Sequence, residues 1–177
     1  MKRMMAMAGA AAIVAAAAAA YAAQNVAVGD DPEAGGVSAS FTTRPLAGRY
    51  TPKHVLAVWV TDSDGRFVKT LQVMGGRQKK RLQHWLDSSK GNVADAITGA
   101  TLAKHQKVVV AWDGTDAAGK RMPEGKYRIN VEYTESNTPG VATPIEVTIG
   151  PAAVTAPPRT VGNLLDVTVV YGKARAP

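Results

Sequence analysis

The segment Trp112-Asp-Gly-Thr-Asp-Ala-Ala-Gly-Lys-Arg-Met-Pro-Glu-Gly-Lys-Tyr127 decides the fold of this chain. Asp113 and Gly114 favour a first turn, and Pro123 with Gly125 favours a second turn shortly before a new strand. Two closely spaced turns between apolar segments predict a hairpin-like connection in a β protein.

Apolar segments with strand character lie on both sides of this connection. After it, Tyr127, Ile129, Val131 and Tyr133 alternate with polar residues, which is typical of a half-buried strand. Before it, Phe67, Leu71 and Val73 are predicted to share one face of a strand that returns from its neighbour. The segments with this character are 37–43, 55–60, 67–73, 108–112, 127–133, 145–149 and 165–171. About seven short strands separated by turns predict an all-β fold, an Ig-like antiparallel β-sandwich.

One segment departs from the strand pattern. Residues 77–89 favour a helix, with Leu82, Trp85 and Leu86 at the i, i+3, i+4 spacing of one apolar stripe. Gly91 is suited to the C-cap. We therefore expect one inserted amphipathic helix that lays this stripe on the sheet.

The N-terminus predicts export. Lys2 and Arg3 precede a long apolar run that ends near Ala20-Tyr21-Ala22, which is the layout of a secretory signal peptide. An uncleaved N-terminal anchor is the alternative. The predicted organisation is a signal peptide (1–22), a flexible tether (23–36), an Ig-like flavin-carrier domain (37–172) and a tail (173–177), in a periplasmic protein.

Composition limits the function classes. The chain has 177 residues, a formal charge of +7 and no cysteine, which excludes disulfides and thiolate attachment sites. Much of the positive charge lies at Arg77, Lys79, Lys80 and Arg81. Export and the lack of interleaved aromatic residues argue against nucleic acid as a partner. These cations are interpreted as a solvated helix face, or as attracting an acidic partner or a peripheral membrane contact.

The segment Asp95-Ala-Ile-Thr-Gly-Ala-Thr101 is a run of small residues that begins with a carboxylate and ends with a hydroxyl. Such a thin segment can enter the active site of another protein, and we expect it in the loop after the helix. It resembles the acceptor motif of bacterial covalent flavin carriers, such as the FMN-bearing subunits of sodium-pumping NADH:quinone oxidoreductases. An ordinary turn rich in Thr and Gly is the alternative.

The resemblance implies that a flavin transferase uses FAD to link FMN through a phosphoester to the Thr101 hydroxyl. It further implies that Asp95 serves recognition or positioning, while Thr98, Gly99 and Ala100 shape the segment. The flavin would carry the electrons, so the protein is expected to be a substrate of the transferase and an electron carrier, and not an enzyme.

Three further residues are candidates for flavin contact. His105 follows Thr101 by four residues and His84 precedes Trp85, so either imidazole could tune an attached flavin. Trp85 could stack on the ring, although core packing of its apolar stripe is the favoured interpretation. The three histidines, which include His54, show no metal-ligand spacing, so no metal site is expected.

Several features occur in one order along the chain: the segment Thr43-Arg-Pro-Leu-Ala-Gly-Arg-Tyr50, the strand with Trp59, the helix with Trp85, the acceptor motif and the hairpin from Trp112. The hairpin resembles that of the Ig-like domain in flagellar hook-capping proteins. The whole order resembles a bacterial family of predicted periplasmic proteins, a domain of unknown function of the DUF2271 type. This resemblance implies flavinylation and membrane or periplasmic redox proteins as partners. The alternative is a non-redox Ig-like binding or structural module of the cell envelope.

Overall fold

The computed structural model describes residues 35–49 and 53–172. The predicted signal peptide, most of the predicted tether and the tail lie outside these ranges. Gly35 and Gly36, which the prediction assigned to the tether, form backbone hydrogen bonds with Gly172 of 2.7 and 3.1 Å. These two residues therefore form part of the folded domain.

The described residues contain nine strands in two sheets. They are β1 (Val37–Thr43), β2 (Val55–Asp62), β3 (Phe67–Met74), β4 (Ile97–Gly99), β5 (Lys107–Trp112), β6 (Gly125–Thr134), β7 (Val141–Ile149), β8 (Val154–Val161) and β9 (Leu164–Tyr171). One sheet has the order β5-β1-β9-β8 and the other β4-β3-β2-β6-β7. Buried residues from both sheets form one hydrophobic core between them, so the predicted all-β sandwich is confirmed.

Two strands were not predicted. β4 lies inside the acceptor motif and pairs with β3 in parallel, whereas every other ladder is antiparallel among the described strands. β8 runs through Pro157 and Pro158. It lies at the edge of its sheet, and the β8–β9 ladder shifts register between Ala156 and Arg159, so the two prolines fall at a bulge where no ladder N–H is required.

The turn-rich segment after Trp112 connects the two sheets. It leaves β5 in one sheet and enters β6 in the other, so the flanking strands do not pair as a hairpin. A short bridge between Thr115 and Arg121 is its only hairpin-like part among the described residues. The indole Nε1–H of Trp112 donates to the Thr115 carbonyl at 2.8 Å, which closes the first turn locally. Turn chemistry was therefore predicted correctly, and strand pairing was not.

β2 is buried on both faces, which explains its continuous apolar sequence. Leu56, Val58 and Val60 enter the core of the sandwich. The other apolar residues of β2 (Val55, Ala57 and Trp59) lie on the outer face of the sheet. There they form a second cluster with Val73, Leu82 and Trp85. Two short helices between β3 and β4 cover this outer face.

β3 does not keep Phe67, Leu71 and Val73 on one face, as was predicted. Leu71 packs in the sandwich core, whereas Val73 belongs to the second cluster and Phe67 packs against it. The β2–β3 ladder shifts register at two places, after Val58 and after Val60. Each such bulge inserts a residue and reverses which face the following residues occupy.

The single helix predicted at 77–89 is two helices. A 3₁₀ helix (Gly76–Arg81) is followed by α1 (Gln83–Ser89), and Leu82 between them has φ −86° and ψ 75°. The buried Glu132 carboxylate on β6 accepts a hydrogen bond from the Trp85 N–H at 2.9 Å. It thereby supplies an acceptor to the first turn of α1, which the sequence within the helix does not provide. The C-cap residue of α1 is Lys90, which lies in the left-handed region, one residue before the expected Gly91.

Candidate functional site

The middle of the acceptor motif, Ile97–Gly99, is an exposed edge strand, whereas the whole motif was expected to be a loop; Thr101 lies in the connection after the strand. Ile97, Thr98 and Gly99 pair with β3, and the Gly75 N–H donates to the Gly99 carbonyl at 2.9 Å. Ile97 is 61% exposed, which is unusual for its residue type. A Cβ on Gly99 would lie 2.6 Å from Met74 Cε, the flexible end of that side chain, so a larger residue here would require Met74 to shift.

The end of β4 separates two open pockets. The first, called the Thr101 pocket, has a volume of about 210 Å³ and is lined by Lys53, Val55, Gln78, Arg81, Thr101, Thr134, Glu135, Ser136 and Asn137. The second, called the Thr98 pocket, has a volume of about 420 Å³ and is lined by Val73, Gly76, Lys79, Val93, Thr98 and Gly99. Both hydroxyl-bearing residues of the motif therefore face a concave surface.

The basic 3₁₀ helix contributes to both pockets. Gln78 and Arg81 line the Thr101 pocket and Lys79 lines the Thr98 pocket, whereas Arg77 and Lys80 are exposed elsewhere on the same helix. The sequence interpretation of a merely solvated face does not describe Arg81. Its Nη1 donates to the Asn137 carbonyl at 3.0 Å, and its Nε is buried with no hydrogen-bond acceptor among the described residues.

Asp95, the first residue of the motif, is connected to the turn-rich segment through a buried lysine. Asp95 adopts the left-handed region at φ 55°, and its Oδ2 lies 3.8 Å from Lys69 Nζ. The same ammonium contacts Asp113 Oδ2 and Thr115 Oγ1, each at 3.2 Å. Burial alone would raise the pKa of Asp113, but hydrogen bonds from Thr115 and Lys69 outweigh it and lower that pKa.

A buried polar cluster lies directly behind the Thr101 pocket. This cluster, called the His–Glu cluster, consists of Thr43, His54, His105, Tyr133 and Glu135. His54 forms two backbone hydrogen bonds with Leu102, the residue after Thr101, at 3.1 and 2.9 Å. Glu135 lines the Thr101 pocket and pairs with His105 Nε2 through Oε1. The cluster and the pocket are thus continuous.

The loop after β1 surrounds the Glu135 carboxylate. Oε2 accepts hydrogen bonds from the backbone N–H groups of Leu46 and Gly48 at 2.8 and 3.2 Å. Since the Glu135 side chain is 0% exposed, these donors and His105 replace the water that it lacks. The segment Thr43-Arg-Pro-Leu-Ala-Gly therefore holds a buried carboxylate, a role that its sequence alone did not reveal.

One hydroxyl, that of Thr43, lies within hydrogen-bond distance of both imidazoles of the cluster. Thr43 Oγ1 lies 3.1 Å from His105 Nδ1 and 3.4 Å from His54 Nε2. The pKa of His54 is lowered to about 4, chiefly by burial and next by the adjacent His105, while Glu135 opposes the shift. His54 Nδ1 is buried with no partner among the described residues, so protonation would leave an unpaired N–H. His54 is therefore neutral at pH 7.

Of the three residues expected to contact a flavin, only His105 is linked to the Thr101 pocket. His105 reaches the Thr101 pocket through Glu135, as described above. His84 is exposed on α1 and is not part of the lining of the Thr101 pocket. Trp85 is 0% exposed, and its Nε1–H donates to Thr70 Oγ1 at 3.1 Å. Because neither indole face is open, core packing accounts for Trp85 and stacking on a ring does not.

Sequence reasoning missed Lys53, Lys69, Arg81 and Glu135 as parts of the site. The carboxylates gave no local signal of burial, because Glu132 occupies a polar position of the alternating pattern and Glu135 lies among polar residues after it. A buried carboxylate requires partners, and this requirement predicts a polar cluster without identifying its members.

Among residues 35–49 and 53–172, no group of three or more His, Asp or Glu side chains has an arrangement that would hold a metal ion. Within the same ranges, no helix is long and apolar enough to span a bilayer.

Comparison with known proteins identifies a family. The family model described as a predicted periplasmic protein (DUF2271) matches residues 39–160, which include the acceptor motif, the 3₁₀ helix and the turn-rich segment. No curated protein and no solved structure matches the chain. The matched region is well over half of the 177 residues. The chain therefore belongs to the DUF2271 family of predicted periplasmic proteins.

Proposed function

We propose that this protein is a periplasmic electron-transfer module that carries FMN covalently on Thr101. The observation that carries the proposal is the position of Thr101. It closely follows the exposed edge strand Ile97–Gly99, and it lines a pocket with two cationic side chains, Lys53 and Arg81. A hydroxyl in this position is accessible to a modifying enzyme and lies beside groups that favour a phosphate.

The attachment is a phosphoryl transfer catalysed by a flavin transferase with FAD as the donor. The Thr101 hydroxyl oxygen forms a bond to the phosphorus on the flavin side of FAD, and the bond to the bridging oxygen breaks. AMP leaves with that oxygen, and the hydroxyl proton passes to a base of the transferase or to water. The chain itself supplies the acceptor oxygen and no catalytic group.

The chain holds Thr101 from both sides. The Gly99 carbonyl is hydrogen-bonded to Gly75 at 2.9 Å, and Leu102 is hydrogen-bonded in both directions to His54. Only Ala100 and Thr101 lie between these two attachments. An attached FMN would supply one- or two-electron transfer, and this short, fixed segment would hold it at the surface of a rigid sandwich.

Intact-mass analysis of the mature protein, coexpressed with a flavin transferase in the presence of FAD, tests this function. We expect a gain of one FMN minus one water. Thr101→Val preserves the shape of the side chain but removes its hydroxyl, so the gain should vanish. Thr101→Ser retains a hydroxyl and should still be labelled.

Unmodified wild-type protein, under conditions that label an established acceptor protein, would overturn the carrier function. Labelling that persists in Thr101→Val would assign the acceptor to another residue. Either result would favour the alternative, in which the sandwich serves as a binding or structural module of the cell envelope.

A further inference from the structure

We infer that the Thr101 pocket is a preformed phosphate subsite, in which Arg81 and Lys53 bind the phosphate group of a flavin nucleotide without a covalent bond. The identity of the nucleotide rests on the proposed function. The phosphate binding itself rests on the groups that line the pocket, and it goes beyond the attachment reaction because it needs no transferase.

Arg81 lines this pocket, and one of its hydrogen-bond donors has no partner among the described residues. The carbonyl of Asn137 accepts from Nη1 at 3.0 Å and thereby orients the guanidinium plane. Nε is buried and has no acceptor within the described part of the chain. A buried donor without a partner is unfavourable, and a ligand oxygen would satisfy it. Guanidinium groups bind phosphate oxygens through two parallel N–H donors, and a pre-oriented group loses little freedom in doing so.

Lys53 provides a second positive charge from a different element. It precedes β2 and lines the same pocket as Arg81 and Thr101. The amide of Gln78 and the hydroxyl of Ser136 also line this pocket and add neutral groups that can donate hydrogen bonds. Two cations with neutral donors around one hydroxyl are suited to a phosphate monoester or diester.

The one carboxylate of the pocket lining is held by other parts of the fold. Glu135 pairs with His105 through Oε1, and its Oε2 accepts from the N–H groups of Leu46 and Gly48. Its side chain is 0% exposed. These contacts stabilise the negative charge of Glu135 in place of water.

The rest of the 3₁₀ helix offers an internal control. Arg77 carries the same charge as Arg81 on the same short helix, but it is exposed and is not part of the lining of the Thr101 pocket. Long-range attraction by the helix as a whole would depend on both residues alike and would weaken with salt. A specific subsite would depend on Arg81 alone.

The test uses the mature chain produced without a flavin transferase, and titrates it with FMN, riboflavin and inorganic phosphate. Flavin fluorescence anisotropy measures the first two, and competition against FMN measures the third. Since hydrogen bonds to charged groups are the strong ones, we expect FMN to bind about tenfold more tightly than riboflavin, which has no phosphate. Inorganic phosphate should displace FMN.

Arg81→Gln should reduce the preference for FMN over riboflavin to about twofold or less, because it removes the charge–phosphate contact. Arg77→Gln should leave the preference within about twofold of wild type, as for an exposed surface charge. Lys53→Gln is a second variant on a separate element, in case loss of the Asn137 contact disturbs folding. It should also lower the preference for FMN.

Equal binding of FMN and riboflavin, or equal losses in Arg77→Gln and Arg81→Gln, would overturn the subsite. The two proposals fail separately. A wild-type protein that prefers FMN but is never labelled on Thr101 would retain the subsite and lose the covalent carrier. A protein labelled on Thr101 without any preference for FMN would retain the covalent carrier and lose the subsite.

Discussion

The imidazole rings of His54 and His105 are stacked, with centroids 4.6 Å apart and an interplanar angle of 17°. Two adjacent buried imidazoles cannot both carry a positive charge at low cost. His105 pairs with Glu135, whereas the backbone of His54 holds Leu102, the residue after Thr101. The charge on this pair is therefore linked to the Thr101 pocket in two ways, through Glu135, which lines the pocket, and through Leu102, which follows Thr101.

His54 should make the protein less stable as the pH falls from about 6.5 to about 4. Its pKa in the folded state is about 4, below the unfolded value of 6.5, so the unfolded state binds more protons in this window. We expect this residue to lower the free energy of unfolding by about 2 kcal/mol between pH 7 and pH 5. Urea titrations at both pH values measure the loss.

Glu132 acts in the opposite direction, because burial raises its pKa and the folded state then gains protons as the pH falls. His54→Phe keeps a ring of similar shape, cannot titrate, and leaves Glu132 unchanged. The difference between wild type and this variant therefore isolates His54. An identical pH dependence in both proteins would show that folding does not lower the pKa of His54.

Asp95→Asn should reduce flavin labelling with almost no effect on folding. Asparagine tolerates the left-handed backbone at this position, and the carboxylate is 76% exposed at 3.8 Å from Lys69. Loss of such a surface pair costs less than about 1 kcal/mol. The initial rate of labelling and the melting temperature are the measurements.

Lys69→Met tests whether Asp95 is recognised by the transferase or instead holds the motif in place through Lys69. It removes the cation but preserves the apolar part of a side chain whose exposure is only 9%. If the Asp95 carboxylate is recognised by the transferase, Lys69→Met should still be labelled. If Asp95 serves only to hold the motif through Lys69, both variants should be labelled equally slowly.

Gly48→Ala should destabilise the loop that surrounds Glu135. A Cβ at this position would lie 2.7 Å from the Glu135 carbonyl oxygen, so the loop must move. Forced repacking of this kind costs about 1–3 kcal/mol. Gly150→Ala is the matched control, because a Cβ there has no neighbour within 4 Å among the described residues. Chemical denaturation of both variants should show a loss in Gly48→Ala alone.

Trp85→Phe should lower stability without changing an attached flavin. It removes the donor to Thr70, whose own hydroxyl donates to the Asn92 carbonyl at 2.6 Å just before the motif. The lost bond and volume together cost about 1–3 kcal/mol. The flavin absorption and fluorescence of the labelled variant should match those of wild type. A shifted or more fluorescent flavin would show that the indole contacts the ring after all.

The elements predicted correctly are those whose pattern depends on neighbours in the chain. Tyr127, Ile129, Val131 and Tyr133 alternate, and all four are buried in the sandwich core. The turn residues after Trp112 form turns, although the strands on either side belong to different sheets. Local patterns thus predicted element type, burial and the antiparallel pairing of β2 with β3, and they did not predict the pairing of strands that are distant in the chain.

The sequence by itself determined the sandwich class, the positions of most strands and the small-residue motif that ends in Thr101, because side-chain period and turn chemistry act over a few residues. The tertiary structure alone decided that the middle of the motif is an edge strand, that Arg81 and Lys53 lie beside Thr101, and that Glu135 joins His105 behind it. These relationships join residues that are distant in the chain. They follow from the pairing of β4 with β3 and from the burial of charged groups, which then need partners. The spacing of residues along the chain predicts neither of these.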